Sequence, residues 1–189
     1  KITFHNRYGI TLAADLYIPK NTTEKLPAIA ISGPFGAVKE QASGLYAQTL
    51  AERGFLTIAF DPSYTGESSG KPRYVASPDI NTEDFCAAVD YLSTRNDVDT
   101  ERIGILGICG WGGIALNAAA IDTRIKATAT VTMYDMGRVN AKGYFDTVDA
   151  NARYELRKQL NAQRTEDYRS GTYALAGGVV DPLPDDAPQ

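Results

Sequence analysis

The first eighteen residues form two short segments, Ile2–Asn6 and Thr11–Ile18, in which apolar and polar positions follow an extended pattern. In the second segment Leu12, Ala14 and Leu16 share one face, which is typical of a strand with one buried side. A short Arg-Tyr-Gly sequence lies between the segments. We therefore predict an antiparallel hairpin at the start of the chain.

Four apolar runs with β-branched residues follow the hairpin. Their apolar positions are continuous rather than alternating, which is typical of strands buried on both faces of a parallel sheet. The runs are Ala28–Ser32, Phe55–Phe60, Ile103–Ile108 and Ala127–Met133.

Helical spacing of apolar residues appears between these runs. One predicted helix, Lys39–Arg53, places Leu45 and Leu50 together on its inner, apolar side and stops at Gly54. A second, Thr82–Thr94, has Asn81 as its predicted N-cap, and a third covers Ile114–Ile121. The order β-β-β-α-β-α-β-α-β predicts an α/β fold, with a mostly parallel sheet, an antiparallel N-terminal hairpin and helices on both faces.

The composition changes after Asp135, where charged residues and tyrosines become frequent. We predict that residues 1–135 form the core, residues 136–176 a partial helical cap and residues 177–189 an irregular tail. The stretch Ile103–Ile121 lacks charges over nineteen residues, but its central glycines favour a strand, a tight turn and a helix over a membrane span.

The charge balance and the counts of cysteine and histidine exclude several classes of function. Nineteen basic and twenty-three acidic side chains give a net charge of −4, so no basic surplus favours nucleic acid. Two cysteines and one histidine, His5, cannot supply an ordinary structural zinc site and any further function, and so few cysteines do not suggest a secreted disulfide scaffold. We expect a cytoplasmic protein without a metal or cofactor.

The segment around Cys109 is the strongest candidate for chemistry. A buried strand ends in Gly-Ile-Cys109 and turns through glycines into an alanine-rich helix. Such a turn projects a side chain from the carboxyl edge of the sheet, and a helix N-terminus favours a thiolate there. The alternative is that Cys109 is a small buried residue in a tight turn. Cys86 lies within a predicted helix and is assigned to packing.

A second loop follows the first parallel strand, in the sequence Gly33-Pro-Phe-Gly-Ala37. Pro34 has no N–H, so Phe35 is the best backbone donor near Cys109, with Gly36 next. Together with the N–H of Gly110, it would form a two-donor oxyanion hole. An ordinary turn between strand and helix is the alternative.

These segments, with the polar loop Asp61–Gly70, resemble the α/β-hydrolase superfamily. The loop sequence Gly33–Gln41 and the turn Gly107–Gly113 are similar to those of YcjY-like bacterial hydrolases, which are related to dienelactone hydrolases and polyketide transferases. The turn departs from Gly-x-Ser-x-Gly, because cysteine replaces serine and Trp111 replaces the second glycine. The resemblance covers residues 1 to about 135.

The resemblance implies a triad of nucleophile, acid and histidine in chain order. Cys109 matches the nucleophile, and no histidine follows His5. Asp135, at the end of the fourth parallel strand, is a weak candidate for the acid and is equally suited to capping that strand. The opening hairpin lies away from the turn in this fold, so His5 is interpreted as structural. We therefore expect a C-terminally truncated chain, whose missing segment of about 60 residues or more supplies the acid and histidine.

The predicted function is that of a hydrolase or acyl transferase that cleaves an ester, thioester or lactone through Cys109. The small-molecule acyl substrate would lie in an apolar pocket walled by Trp111, Gly36 and Tyr134, although packing also explains the aromatic residues. A non-catalytic small-molecule binding protein is the main alternative, and a redox-sensing thiol is a weaker one. The substrate, the acyl acceptor and the oligomeric state do not follow from the sequence.

Overall fold

An antiparallel hairpin opens the chain, as predicted, in the computed structural model, which describes residues 1–20 and 22–176. Strands β1 (Ile2–His5) and β2 (Thr11–Tyr17) pair in register from Ile2 with Ala14 to His5 with Thr11. The Asn6 side chain closes the turn, because its Oδ1 accepts the N–H groups of Tyr8 and Ile10 at 3.0 Å each.

Four further strands complete a six-stranded sheet in the order β1-β2-β4-β3-β5-β6. The pairs β1/β2 and β2/β4 are antiparallel, and the other three pairs are parallel. The predicted mostly parallel sheet is therefore confirmed. The four strands are β3 (Leu26–Ser32), β4 (Leu56–Phe60), β5 (Val98–Ile108) and β6 (Ile125–Val131).

Helices cover both faces of this sheet. Alternate strand residues point to opposite sides, so the apolar strands present buried side chains on each face. On one side, residues such as Ile31 and Leu106 pack with Ala47 of α1 (Ala42–Ala51). On the other side a larger core joins the sheet to α2 (Pro78–Ser93) and α3 (Gly110–Ile121).

Three local predictions were wrong. Helix α2 begins a turn earlier than predicted, with Ser77 rather than Asn81 as N-cap, because Asn81 donates its amide to the buried Asp84 carboxylate at 3.0 Å. Strand β6 is not buried on both faces; most of its residues are exposed, and it is the edge strand of the described sheet. Leu45, expected on the inner side of its helix, is 66% exposed.

The chain divides into two compact units, Lys1–Asn140 and Ala141–Gln189. Helix α4 (Met136–Lys142) spans the boundary, and α5 (Ala150–Ser170) forms most of the described part of the second unit. The division at residues 135 and 176 stays a prediction, and the predicted tail, 177–189, lies outside the described residues. Among those described, no helix is long and apolar enough to cross a bilayer.

Candidate active site

Cys109 lies between strand β5 and helix α3 in a backbone conformation that residues other than glycine rarely adopt. Its φ is 58° and its ψ is −128°, and α3 begins at the next residue. Its N–H donates to the Val131 carbonyl at 2.8 Å, and its carbonyl accepts the N–H groups of Gly112 at 2.9 Å and Tyr134 at 3.3 Å. Contacts from the end of β6 therefore hold this strained backbone, and the Cys109 residue is partly exposed.

Two glycines allow the backbone around Cys109 to pack this closely. A Cβ atom at Gly107 would lie 2.2 Å from the Trp111 carbonyl oxygen, and one at Gly33 would lie 2.5 Å from the Ile108 carbonyl oxygen. Neither obstacle is a flexible side chain. The first glycine lets α3 approach β5, and the second lets the loop after β3 approach the same turn.

Trp111 stands where the sequence pattern of the resembled superfamily has a glycine, and it is accommodated by burial. Only 3% of Trp111 is exposed, and its ring lies 6.0 Å from the Phe85 ring and 6.4 Å from the Phe35 ring, centre to centre. The residue therefore belongs mainly to the core. It also lines, with Gly36, a small cavity of about 290 Å³.

The loop that carries Phe35 folds back towards the turn at Cys109. A hydrogen bond of 3.1 Å from the Ala37 N–H to the Pro34 carbonyl closes a turn with Phe35 and Gly36 at its corners. The Phe35 ring lies against Gly110, where an added Cβ would meet its Cδ2 at 2.7 Å. The structure thus brings the two residues that carry the predicted oxyanion donors into contact next to Cys109.

Neither of these backbone N–H groups has a hydrogen-bond acceptor among the described residues. In the described part of the chain, the Phe35 N–H donates to no protein acceptor. Gly110 occupies the first position of α3, where an N–H has no acceptor within its own helix. Their use as an oxyanion hole remains a prediction.

A larger cavity of about 460 Å³ opens beside Phe35 and Gly110. This volume falls within the range of small-molecule sites. Its lining combines apolar side chains with amide groups and includes Ile114, Asn117, Met133 and Met136. The predicted pocket residue Tyr134 lines neither cavity; it contributes its backbone N–H to the Cys109 carbonyl instead.

The structure does not bring His5 or Asp135 into hydrogen-bonding partnership with Cys109. His5 is on β1, four strand spacings from β5, which is about 19 Å at about 4.8 Å per spacing. Asp135 lines the larger cavity, but its Oδ1 accepts the Arg138 N–H at 2.9 Å at the start of α4. Asp135 therefore caps the start of α4, whereas the alternative interpretation had it cap the preceding strand.

The sequence interpretation missed a buried charged residue, Lys39, at the end of the Phe35 loop. Its side chain is fully buried against Asp61 and also binds Glu40 and Glu67. The acidic loop after β4 was the available signal, but a lysine in a loop ordinarily predicts solvent exposure. In residues 1–20 and 22–176, no group of histidine, cysteine and acidic side chains is arranged to hold a metal ion.

Comparison with protein families gives a match to the family described as X-Pro dipeptidyl-peptidase (S15 family) over residues 8–174. The uncharacterized protein PA2218 of Pseudomonas aeruginosa is 67% identical over 175 residues, which are 92% of this chain and 47% of that protein. The uncharacterized protein YcjY of Escherichia coli K12 is 43% identical over 179 residues, 93% of this chain and 58% of YcjY.

A relative with a named activity is the thiohydrolase aneE of Aspergillus aculeatus, which is 28% identical over 93% of this chain and 50% of its own length. The chain therefore spans about half the length of the curated relatives it matches.

Solved structures show the same fold. The crystal structure of PA2218 aligns with a TM-score of 0.90 and 64% identity, over 95% of this chain and 58% of that one. An α/β hydrolase from Penicillium, GrgF, aligns with a TM-score of 0.76 and 23% identity, over 92% of this chain and 56% of its own, which shows the fold alone.

Proposed function

We propose that this chain, which belongs to the X-Pro dipeptidyl-peptidase (S15) family within the α/β-hydrolase superfamily, cleaves or transfers acyl groups. In this proposal Cys109 is the nucleophile. The superfamily expected from the turn motif is confirmed, and the relationship to a thiohydrolase supports a hydrolase activity. The nucleophile, the substrate and the reaction of the whole protein are our proposals.

One observation carries the choice of nucleophile: Cys109 is held at positive φ between β5 and α3 by hydrogen bonds to both its N–H and its carbonyl. Strained backbone of this kind is found where the surrounding structure needs one side chain in a fixed place. A cysteine that only filled space in the turn would not need this conformation.

In the proposed reaction, the Cys109 sulfur forms a bond to the carbonyl carbon of the substrate, and the carbonyl electrons move to its oxygen. The N–H groups of Phe35 and Gly110 bind the resulting oxyanion. Collapse of this intermediate re-forms the C=O bond and expels an alcohol or thiol, which leaves with the proton that the thiol gave up. Water or an acceptor alcohol then attacks the acyl-cysteine, the carbon–sulfur bond breaks, and an acid or ester product leaves as the Cys109 sulfur regains the proton that the attacking hydroxyl gave up.

A general base is needed to take the thiol proton, and His5 is too far away to serve. We assign this role to a histidine outside these 189 residues, in the remaining length that the relatives have. The acid partner would lie in the same segment.

The substrate class favoured by this chemistry is a thioester or another activated acyl compound, including a lactone. Exchange of one thioester for another conserves the type of bond, whereas an ordinary oxygen ester must be converted into a more reactive thioester. The cavity beside Gly110 offers methionine and isoleucine side chains for an acyl chain. The activity named for the thiohydrolase relative agrees with this choice.

A second candidate function is a non-catalytic binding protein, which the distance between His5 and Cys109 favours.

Burst kinetics with p-nitrophenyl acetate distinguish the enzyme from the binding protein. We expect the full-length parent protein, which includes the proposed histidine, and its Cys86→Ala control to release one equivalent of p-nitrophenol rapidly, and Cys109→Ala to lose this burst. An equal signal from Cys109→Ala and the parent would exclude Cys109 as the nucleophile.

A further inference from the structure

Lys39 is buried in a way that is rare for a lysine. Its side chain has no exposed surface, and its Nζ donates to Glu67 at 2.6 Å, to Glu40 at 2.7 Å and to Asp61 at 3.1 Å. Burial alone would lower the pKa of Lys39, but the hydrogen bonds to these three carboxylates raise it above its ordinary value. Lys39 is therefore a permanent cation rather than a nucleophile or a base.

Asp61 is the second fully buried member of this cluster, and its carboxylate joins two loops. Oδ1 accepts the backbone N–H of Lys39 at 2.7 Å, while Oδ2 accepts the backbone N–H of Glu67 at 2.9 Å and the Lys39 ammonium. The chain passes so close that a Cβ at Gly66 would lie 2.3 Å from Oδ2. The loop after β4 is thus wrapped around the Asp61 carboxylate.

These contacts fix both ends of the loop that carries Phe35, residues 33–39, which we call the oxyanion loop. At its start, the Ser32 hydroxyl donates to the Phe60 carbonyl at 3.0 Å. At its end, the Lys39 N–H is bound by Asp61. The turn with Phe35 at its corner lies between these anchors, so the direction of the Phe35 N–H depends on the second one.

We propose that Asp61 is a positioning residue that sets the oxyanion loop through Lys39, an inference that rests on the proposed function. A buried ion pair is by itself weak support for stability, because desolvation offsets much of the attraction. The specific effect of this ion pair is to fix the backbone position of the oxyanion loop. The carboxylate binds a backbone N–H four residues after Phe35 and holds the ammonium of the same residue.

Two reactions of the same thiol test this proposal. Iodoacetamide alkylates Cys109 by displacing iodide from a saturated carbon, so no oxyanion forms. Acetylation by p-nitrophenyl acetate passes through an oxyanion. For Asp61→Asn we expect the rate of acetylation to fall about tenfold or more. This loss should be smaller than the roughly 10²–10³-fold loss that follows removal of an oxyanion donor, because the Phe35 N–H is displaced but still present. Alkylation should stay within about twofold, and an Asp97→Asn control, whose carboxylate pairs with Arg95, should match the parent in both.

Equal acetylation by Asp61→Asn and the parent would overturn the proposal, whereas absence of acetylation in the parent would refute the proposed function instead. Labelling of the buried Cys86 reveals a variant that has not folded. Hydrogen exchange on the parent then decides: the Lys39 amide should be as protected as the amides of β3. Exchange of that amide at the rate of an open loop, with β3 still protected, would overturn the role of Asp61.

Discussion

Gly107→Ala perturbs the contact on which the position of Cys109 depends. The new Cβ would lie 2.2 Å from the Trp111 carbonyl oxygen and 2.8 Å from the Ala115 Cβ. Both distances are shorter than 3.0 Å, a separation below which Cβ contacts are essentially never observed. Helix α3 must therefore move away from β5. Overpacking a core costs about 1–3 kcal/mol of stability. Because the obstacle here is backbone, we expect Gly107→Ala to lower the free energy of unfolding by about 3 kcal/mol.

Urea denaturation followed by the fluorescence of Trp111 measures this cost, because Trp111 is the single tryptophan of the chain and is 3% exposed. With a slope of about 2 kcal/mol per molar urea, Gly107→Ala should lower the midpoint by about 1.5 M. Gly113→Ala in the same helix is the control. Its Cβ would lie 3.2 Å from the Tyr134 carbonyl oxygen, and its gain in helix propensity offsets that contact. A midpoint for Gly107→Ala within about 0.3 M of the parent would refute the close approach.

Three further predictions concern reactivity, acid stability and the core. Near neutral pH, iodoacetamide should label Cys109 well before Cys86, because burial raises the pKa of the Cys86 thiol to about 11; equal rates would contradict an accessible Cys109. Hydrogen bonds from two lysines lower the pKa of Glu67 from 4.5 to about 2, so its contribution to stability is present above pH 4.5 and is lost as the pH falls towards 2. Acid titration should therefore destabilise Glu67→Gln less than the parent, and equal losses would argue against the pairing. Thermal or urea unfolding should show a loss of about 3–5 kcal/mol for the buried Phe85→Ala and under about 0.5 kcal/mol for the exposed Leu45→Ala.

The parts of the fold that the sequence predicted are those set by local pattern. Continuous apolar runs predicted the buried parallel strands β3, β4 and β5, because burial on both faces of a sheet leaves no polar alternation. The turn at Cys109 was recognisable because Gly107 and Gly110 flank it within three residues of chain. Close packing between a strand and the helix that follows it leaves such a local signal.

The parts that the sequence did not predict depend on contacts between distant residues. Lys39 is buried because Asp61, 22 residues further along the chain, binds both its N–H and its ammonium. Asn81 does not cap α2, because its amide binds the buried Asp84 carboxylate. Lys39 meets Asp61 only after the strands have assembled, and the Asp84 carboxylate that binds Asn81 is itself held by Asn6 and Ser63, 78 and 21 residues away in the chain.

The most direct test of the central claim is to locate the acyl group by mass spectrometry of peptides after brief treatment with p-nitrophenyl acetate. If Cys109 is the nucleophile, the acetyl group should be found on the peptide that contains Cys109 and not on the peptide that contains Cys86. Acetylation that spares Cys109, or that occurs equally on both cysteines, would contradict the account.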